Sequence, residues 1–162
     1  MIELANGAFV SKFADIEDSV RGSLITIGEN SMIDSFVKFK AAGGNGNIII
    51  GANVHINANC VLYIGNGIVI GDNTAIGAGT LFAPVNHNYS KRNKLIKEQR
   101  FKQSKGGVKI GKDCWIGAGC VLLDGTTIED GAVVGAMSLV RERVPAYSIG
   151  YGNPFKIVNY RK

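Results

Sequence analysis

No uninterrupted apolar run in the 162 residues approaches the ~18–20 needed to cross a bilayer, so stable membrane insertion is not expected. Charge is also sparse. Asp, Glu, Lys and Arg together make up 19% of the chain and aromatics 8%, with Trp115 the single tryptophan. So small a charged fraction, beside 46% hydrophobic residues, excludes wholesale disorder and leaves enough apolar mass for a core. The start, Met1-Ile2-Glu3, lacks a basic segment followed by an apolar one, so no secretory leader is expected and a cytoplasmic location is. The length suits one domain, 1–162.

Acidic residues are almost missing from one segment. Residues 83–107 carry Lys91, Arg92, Lys94, Lys97, Arg100, Lys102 and Lys105 against the lone Glu98, a net charge of six. The remainder holds 11 basic and 12 acidic side chains and is close to neutral, so the total of +5 is local. Confined to one segment with little aromatic interleaving, it does not point to nucleic acid as a partner.

Glycine, by contrast, is abundant, with 22 positions, and it keeps time. Aliphatic residues recur at every sixth place through Ile110, Ile116, Leu122, Ile128, Val134 and Val140. The same step links Ile50, Ile56 and Leu62; Ile70, Ile76 and Phe82; and Ile27, Ile33 and Phe39. Glycine often follows the anchor, as at Gly28, Gly51, Gly71, Gly77, Gly111, Gly117 and Gly135. Four residues after each anchor stands a small or β-branched side chain, among them Ser31, Cys60, Thr74, Cys114, Cys120, Thr126 and Ser138.

A period of six fits neither a helix at 3.6 nor continuous strand alternation. It describes a coil with short flat faces, each burying one aliphatic side chain, with small residues at crowded corners and Gly, Asn or Asp supplying the turns. No such coil is stable alone; stacked coils bury a continuous column. The fold class is therefore all-β, a parallel β-helix. Its three cysteines fall in the corner class and read as packing residues of a reducing compartment.

The rhythm breaks at three places. Ala41 to Asn47 absorbs the first break and Gly65-Asn66-Gly67 the second. The third separates Phe82 from Ile110 by 28 residues, so a protruding loop is expected over 83–107. Loops this long inside a compact domain are usually functional or disordered. Residues 1–26 keep only fragments of the pattern and are expected to form an N-terminal cap. Residues 145–162 are expected to form a C-terminal cap.

The repeat [Ile/Leu/Val]-Gly-x-x-[small]-x over residues 27–158 resembles the hexapeptide-repeat acyltransferases, and within them the bacterial sugar and polysaccharide O-acetyltransferases. The resemblance implies a left-handed helix of three faces per coil, assembly as a homotrimer, and acetyl-CoA as the acetyl donor. It also implies a sugar or polysaccharide acceptor in capsule, lipopolysaccharide or exopolysaccharide synthesis. In Asn86-His87-Asn88-Tyr89 it makes His87 the general base for an acceptor hydroxyl, a task that an ordinary imidazole pKa near ~6.5 suits. It places Asn86 and Trp115 at the acceptor, together with Asn57, for which Asn59 is the alternative. It sets Trp115, Gly117, Ala118, Gly135, Ala136 and Ser138 along the coenzyme, with Arg141 and Lys156 toward its phosphates. Some relatives carry Ser where this chain has Ala118, which leaves only a main-chain N–H to steady an oxyanion.

Other readings stay open. They are N-acetylation of an amino-sugar nucleotide, acetylation of an antibiotic, and a β-helix scaffold without catalysis. A γ-class carbonic anhydrase, which shares this repeat, needs three zinc-binding histidines, and the chain has only His55 and His87, so no metal is expected.

Overall fold

Strands of two to five residues alternate with turns along residues 1–162 of the computed structural model, and the chain visits three sheets in fixed order. The first face stacks Ile2–Leu4, Ile25–Ile27, Ile48–Ile50, Ile68–Ile70, Val108–Ile110, Thr127–Ile128 and Arg143–Val144. The second stacks Phe9–Val10, Met32–Ile33, His55–Ile56, Ala75–Ile76, Trp115–Ile116, Val133–Val134 and Ser148–Tyr151. The third stacks Asp15–Ile16, Lys38–Lys40, Val61–Tyr63, Leu81–Ala83, Val121–Leu123 and Leu139–Val140. Each strand pairs in parallel with its counterpart one coil away, and the product is a left-handed β-helix of triangular section.

The six-residue step is the distance from one face to the next. Ile110, Ile116 and Leu122 point inward from three successive faces, and their counterparts on the next coil are Ile128, Val134 and Val140. All six are buried, and together with the other anchors they form one core of 27 residues. Alternation sends the neighbouring side chains, such as Lys109 and Trp115, outward.

The corner residues are buried as well, and the polar ones reach a carbonyl. Ser31 Oγ donates to Gly51 O at 2.7 Å, Thr74 Oγ1 to Gly111 O at 2.9 Å, and Thr126 Oγ1 to Val140 O at 2.9 Å. A buried hydroxyl without such a partner would destabilise the coil by its desolvation cost. At the edge between the first and second faces, Asn30, Asn53, Asn73 and Asp113 adopt the left-handed turn conformation with φ of 52–58°, which Asn and Asp tolerate best after Gly.

Residues 1–26, expected as a cap, end the helix as a complete coil. Leu4, Val10 and Ile16 stand opposite Ile27, Ile33 and Phe39, so the six-residue spacing already runs through them. The terminal coil has a neighbour on one side only and therefore leaves Leu4 half exposed. At the other end the chain turns after Ser148–Tyr151 and returns antiparallel along Lys156–Tyr160, while Phe155 packs against the core. The one helix is the single turn Ile96–Gln99, and no helix is long and apolar enough to cross a membrane.

Inward and outward positions should respond differently to truncation. Ile116→Ala removes a fully buried anchor and is expected to cost about 2–5 kcal/mol in urea unfolding. Lys109→Ala, on the outer side of the first face, should stay within about 0.5 kcal/mol.

Candidate functional site

The long insertion leaves the third face after Ala83 and rejoins the first at Val108, so it projects from the edge between those faces. It is not free coil. Asn88 N–H donates to Arg100 O at 2.8 Å and Lys102 N–H to Asn86 O at 2.7 Å, closing an antiparallel bridge between His87 and Phe101. Gln99 ties the tip together, accepting from Lys91 N–H and donating to the carbonyls of Lys91 and Lys94, each at 2.9 Å.

The imidazole of His87 is exposed at this edge and leans on the Phe101 ring, with centroids 4.8 Å apart. Neither Asn86 nor Asn88 hydrogen-bonds it; Asn88 Oδ1 instead accepts from the Ser90 amide and hydroxyl. Strand pairing and the Phe101 contact set its position.

Asp124 anchors the loop's return. Its carboxylate is 4% exposed and accepts from Lys105 N–H and Gly107 N–H, both at 2.9 Å. This residue escapes sequence reasoning. The available signal is an acid at Leu123-Asp124-Gly125, beside the one corner that must receive a chain returning from a long excursion.

A second group of residues gathers elsewhere. Asn57, Gly77, Gly117 and Gly135 form a column at the edge between the second and third faces, each N–H donating to a carbonyl of the next coil at 2.7–3.0 Å. A Cβ at Gly117 would run into the Ala136 backbone, so glycine is required there by close approach. Asn57 alone in this set carries a polar side chain, whose Nδ2 donates to Ile76 O at 2.8 Å. The next residues in the two later coils, Ala118 and Ala136, are exposed, and their N–H groups donate to nothing within the chain. At the edge between the first and second faces side chains close two of the equivalent amides, Ala52 N–H by Asp72 Oδ1 at 3.0 Å and Lys112 N–H by Asp130 Oδ1 at 2.8 Å, while those of Asp72 and Asp130 themselves stay open. Trp115, 58% exposed, stands on the second face three residues before Ala118.

The expected site residues thus fall into two sets. His87, Asn86 and Arg141 lie at the edge between the third and first faces; Asn57, Trp115, Ala118 and Ala136 lie on or beside the second face. Asn57, Ala118 and Ala136 stand at the other edge of the third face, and Trp115 on the second face, which does not adjoin the loop's edge. The surroundings of the residues expected along the coenzyme differ. Ser138 is 1% exposed, and its hydroxyl donates to Gly135 O at 2.6 Å and accepts from Gly152 N–H at 3.0 Å, so it fastens the final turn. Gly117 and Gly135 have their N–H groups engaged, whereas Ala118 and Ala136, like Ala78 one coil earlier, present free donors. Arg141 stands beside Lys102 and Lys105 of the loop, away from those donors. Lys156 is exposed on the returning strand.

The thiols are no rival nucleophiles. Cys60, Cys114 and Cys120 donate to carbonyls at 3.2–3.3 Å from buried corners. Burial raises all three pKa values, that of Cys60 to about 11. No group of three or more His, Cys, Asp or Glu is placed to hold a metal ion.

Comparison with known proteins agrees with the repeat. The family described as "Bacterial transferase hexapeptide (six repeats)" matches residues 107–142, and "Hexapeptide repeat of succinyl-transferase" matches residues 47–81. A Staphylococcus aureus (strain MRSA252) protein named for acetyltransferase activity is 38% identical over 114 residues, 69% of this chain and 54% of its own length. The chain thus spans about half the length of such curated relatives. An Escherichia coli dTDP-4-amino-4,6-dideoxy-D-glucose acyltransferase is 31% identical over 169 aligned residues, 99% of this chain and 86% of its own. The crystal structure of a point mutant of AntD, a Bacillus cereus N-acyltransferase in complex with dTDP-4-amino-4,6-dideoxyglucose and coenzyme A, superposes with a TM-score of 0.83. It is 30% identical and covers 99% of this chain and 84% of that one.

Two measurements check the geometry of the site. Asp124→Ala leaves two amides without their carboxylate, each such bond contributing about 1.5–3 kcal/mol, so hydrogen exchange at Lys105 and Gly107 should accelerate while the inward strands stay protected. A thiol reagent at pH 8 should leave Cys60 unmodified in the native chain, where roughly one part in 10³ is thiolate, and modify all three cysteines after unfolding.

Proposed function

The chain belongs to the hexapeptide-repeat acyltransferase family, and on that premise we propose that it transfers an acyl group, acetyl in the simplest case, from acyl-coenzyme A to a nucleotide-linked sugar. One observation carries the reading: the edge beside Trp115 bears unpartnered N–H groups at Ala118 and Ala136, while another edge thrusts out a loop with an exposed imidazole. Unpartnered amides facing outward are what an acyl carbonyl requires as it gains negative charge. Glycine at 117 lets the backbone come close, and Trp115 offers an apolar wall. These residues therefore fit an acyl thioester, which when bound supplies the electrophilic carbonyl.

His87 takes the proton from the acceptor nitrogen or oxygen as that atom forms its bond to the acyl carbon. The C–S bond breaks, and the same imidazole returns the proton to the departing sulfur. Ala118 N–H holds the carbonyl oxygen meanwhile. Asn57, whose side-chain oxygen accepts no bond within the chain, orients the acceptor. Because the two sets of groups stand at different edges of the prism, the site is completed between copies of the chain, in keeping with a homotrimer.

Two relatives that each cover 99% of this chain act on, or are bound to, a dTDP-linked amino sugar, which favours an amine as the acceptor. The Asn86-His87-Asn88-Tyr89 segment favours the second reading, acetylation of a sugar hydroxyl, because of its resemblance to sugar O-acetyltransferases. Thiol release from acetyl-CoA with dTDP-4-amino-4,6-dideoxyglucose, and with neutral and acidic sugars lacking an amine, distinguishes them. His87→Ala should lower turnover by about 10²–10⁴-fold with the melting temperature unchanged. Undiminished turnover would refute the general-base role, and a mass other than that of three chains by light scattering would refute the trimer.

A further inference from the structure

Where the loop comes back to the helix it roofs a cavity of about 230 Å³ into which Lys102, Lys105 and Arg141 converge, with Asn86 and Tyr89 on its wall. Lys102 Nζ sits 3.8 Å from the centre of the Tyr89 ring, a cation–π contact that holds the ammonium at the cavity. None of the three cations has an ion-pair partner; the ion pairs of the fold are made by Lys40, Lys112, Arg143 and Arg161. The one acid on the cavity wall, Asp124, is buried with both oxygens engaged by backbone amides and forms no ion pair with the cations, so the lining keeps a net positive charge. Three unpaired positive charges around one concavity repel each other and attract an anion. The volume is that of on the order of seven waters at ~30 Å³ each, room for a phosphate or diphosphate.

We propose that Lys102, Lys105 and Arg141 form the subsite for the diphosphate of the acceptor, a deepening that rests on the acyl-transfer reading above. Two substrates could bring phosphate here, and their chemistry separates them. Coenzyme A carries its phosphates a whole pantetheine arm away from the thioester. A nucleotide-linked sugar carries its diphosphate on the sugar ring itself, close to the atom that is acylated. Asn86, on the cavity wall, is the residue before His87. A diphosphate held here thus lies beside the base, where an acceptor's must be and a coenzyme's is not. Arg141 supplies a fork that two phosphate oxygens can share, and the lysines supply compact charges. The cluster gives a use to two of the loop's seven cations, Lys102 and Lys105.

Calorimetric titration of the full chain with inorganic pyrophosphate, dTDP and coenzyme A tests the assignment, using wild type, Lys102→Met and Arg141→Met. Both replaced side chains are exposed, and melting temperature serves as the control for folding. Pyrophosphate and dTDP should each bind roughly tenfold more weakly to either variant, with coenzyme A affinity within about twofold of wild type. Pyrophosphate that fails to bind wild type, or binds the variants equally, overturns the subsite. A parallel loss of coenzyme A affinity assigns the cations to the donor and overturns the acceptor assignment. Thiol release dependent on His87 is read separately on the same wild-type preparation. Its absence would sink the acyl-transfer reading, whereas failure of the subsite shows in the pyrophosphate titration alone.

Discussion

Each coil hands its inward side chains to the coils above and below and cannot bury them by itself. That dependence, renewed every six residues through Ile110, Ile116, Leu122 and their counterparts, governs everything else about the chain. Parallel pairing consumes the strand amides, the anchors fill the interior, and the corner hydroxyls and thiols close the carbonyls they reach. Chemistry is left only to outward positions, exposed corner amides and insertions. The insertion sites are restricted too, since extra residues within a strand would shift an anchor out of its column. The interruptions of the rhythm, the one between Ile16 and Ile27 included, accordingly fall at the edge between the third and first faces.

The three edges have been put to different uses. Between the first and second faces, Asp72 and Asp130 close the corner amides of neighbouring coils, and Lys112 pairs with Asp72 at 2.8 Å. That contact lowers the Asp72 pKa and raises that of Lys112. These groups lie at the surface, so their effect on stability is modest. Between the second and third faces the equivalent places carry Gly and Ala, and amides remain open. A side-chain cap there would satisfy the backbone and remove the anion-seeking donors at once. The bare corner is thus consistent with ligand binding at a small cost in local stability.

Most of the fold is legible in the sequence because period six has no competing explanation, and the buried corner class follows from the same count. The first coil is the part that escapes. Leu4, Val10 and Ile16 keep the spacing, but no glycine follows them, and a coil at the end of the stack can afford weaker anchors. The site is less legible for a different reason. Ser138 satisfies the same small-residue rule that predicts burial, and the resemblance that set it beside a coenzyme says nothing about its two hydrogen bonds. Asp124 and Arg141 gain their significance from the path of the returning loop, which spacing along the chain does not reveal. The amides that Asp124 holds are 17 or more residues away in sequence.

An ordered insertion of this length needs compensation, since closing and fixing a long loop costs conformational entropy that its own short bridge does not offset. Asp124 supplies some of it by holding the return, and Gln99 ties the tip. The outward thrust of the remainder is best understood from symmetry. A loop on one edge and its complement at another edge can be brought together when each copy offers its loop to the next. Such contacts are heterologous, and they close into a ring only when the rotation between copies divides a full turn. In the trimer proposed above, every chain gives one imidazole and receives another, so the number of sites equals the number of chains and none is left half built. A prism of three faces is suited to this arrangement, because its edges are already disposed about an axis and each faces a different neighbour.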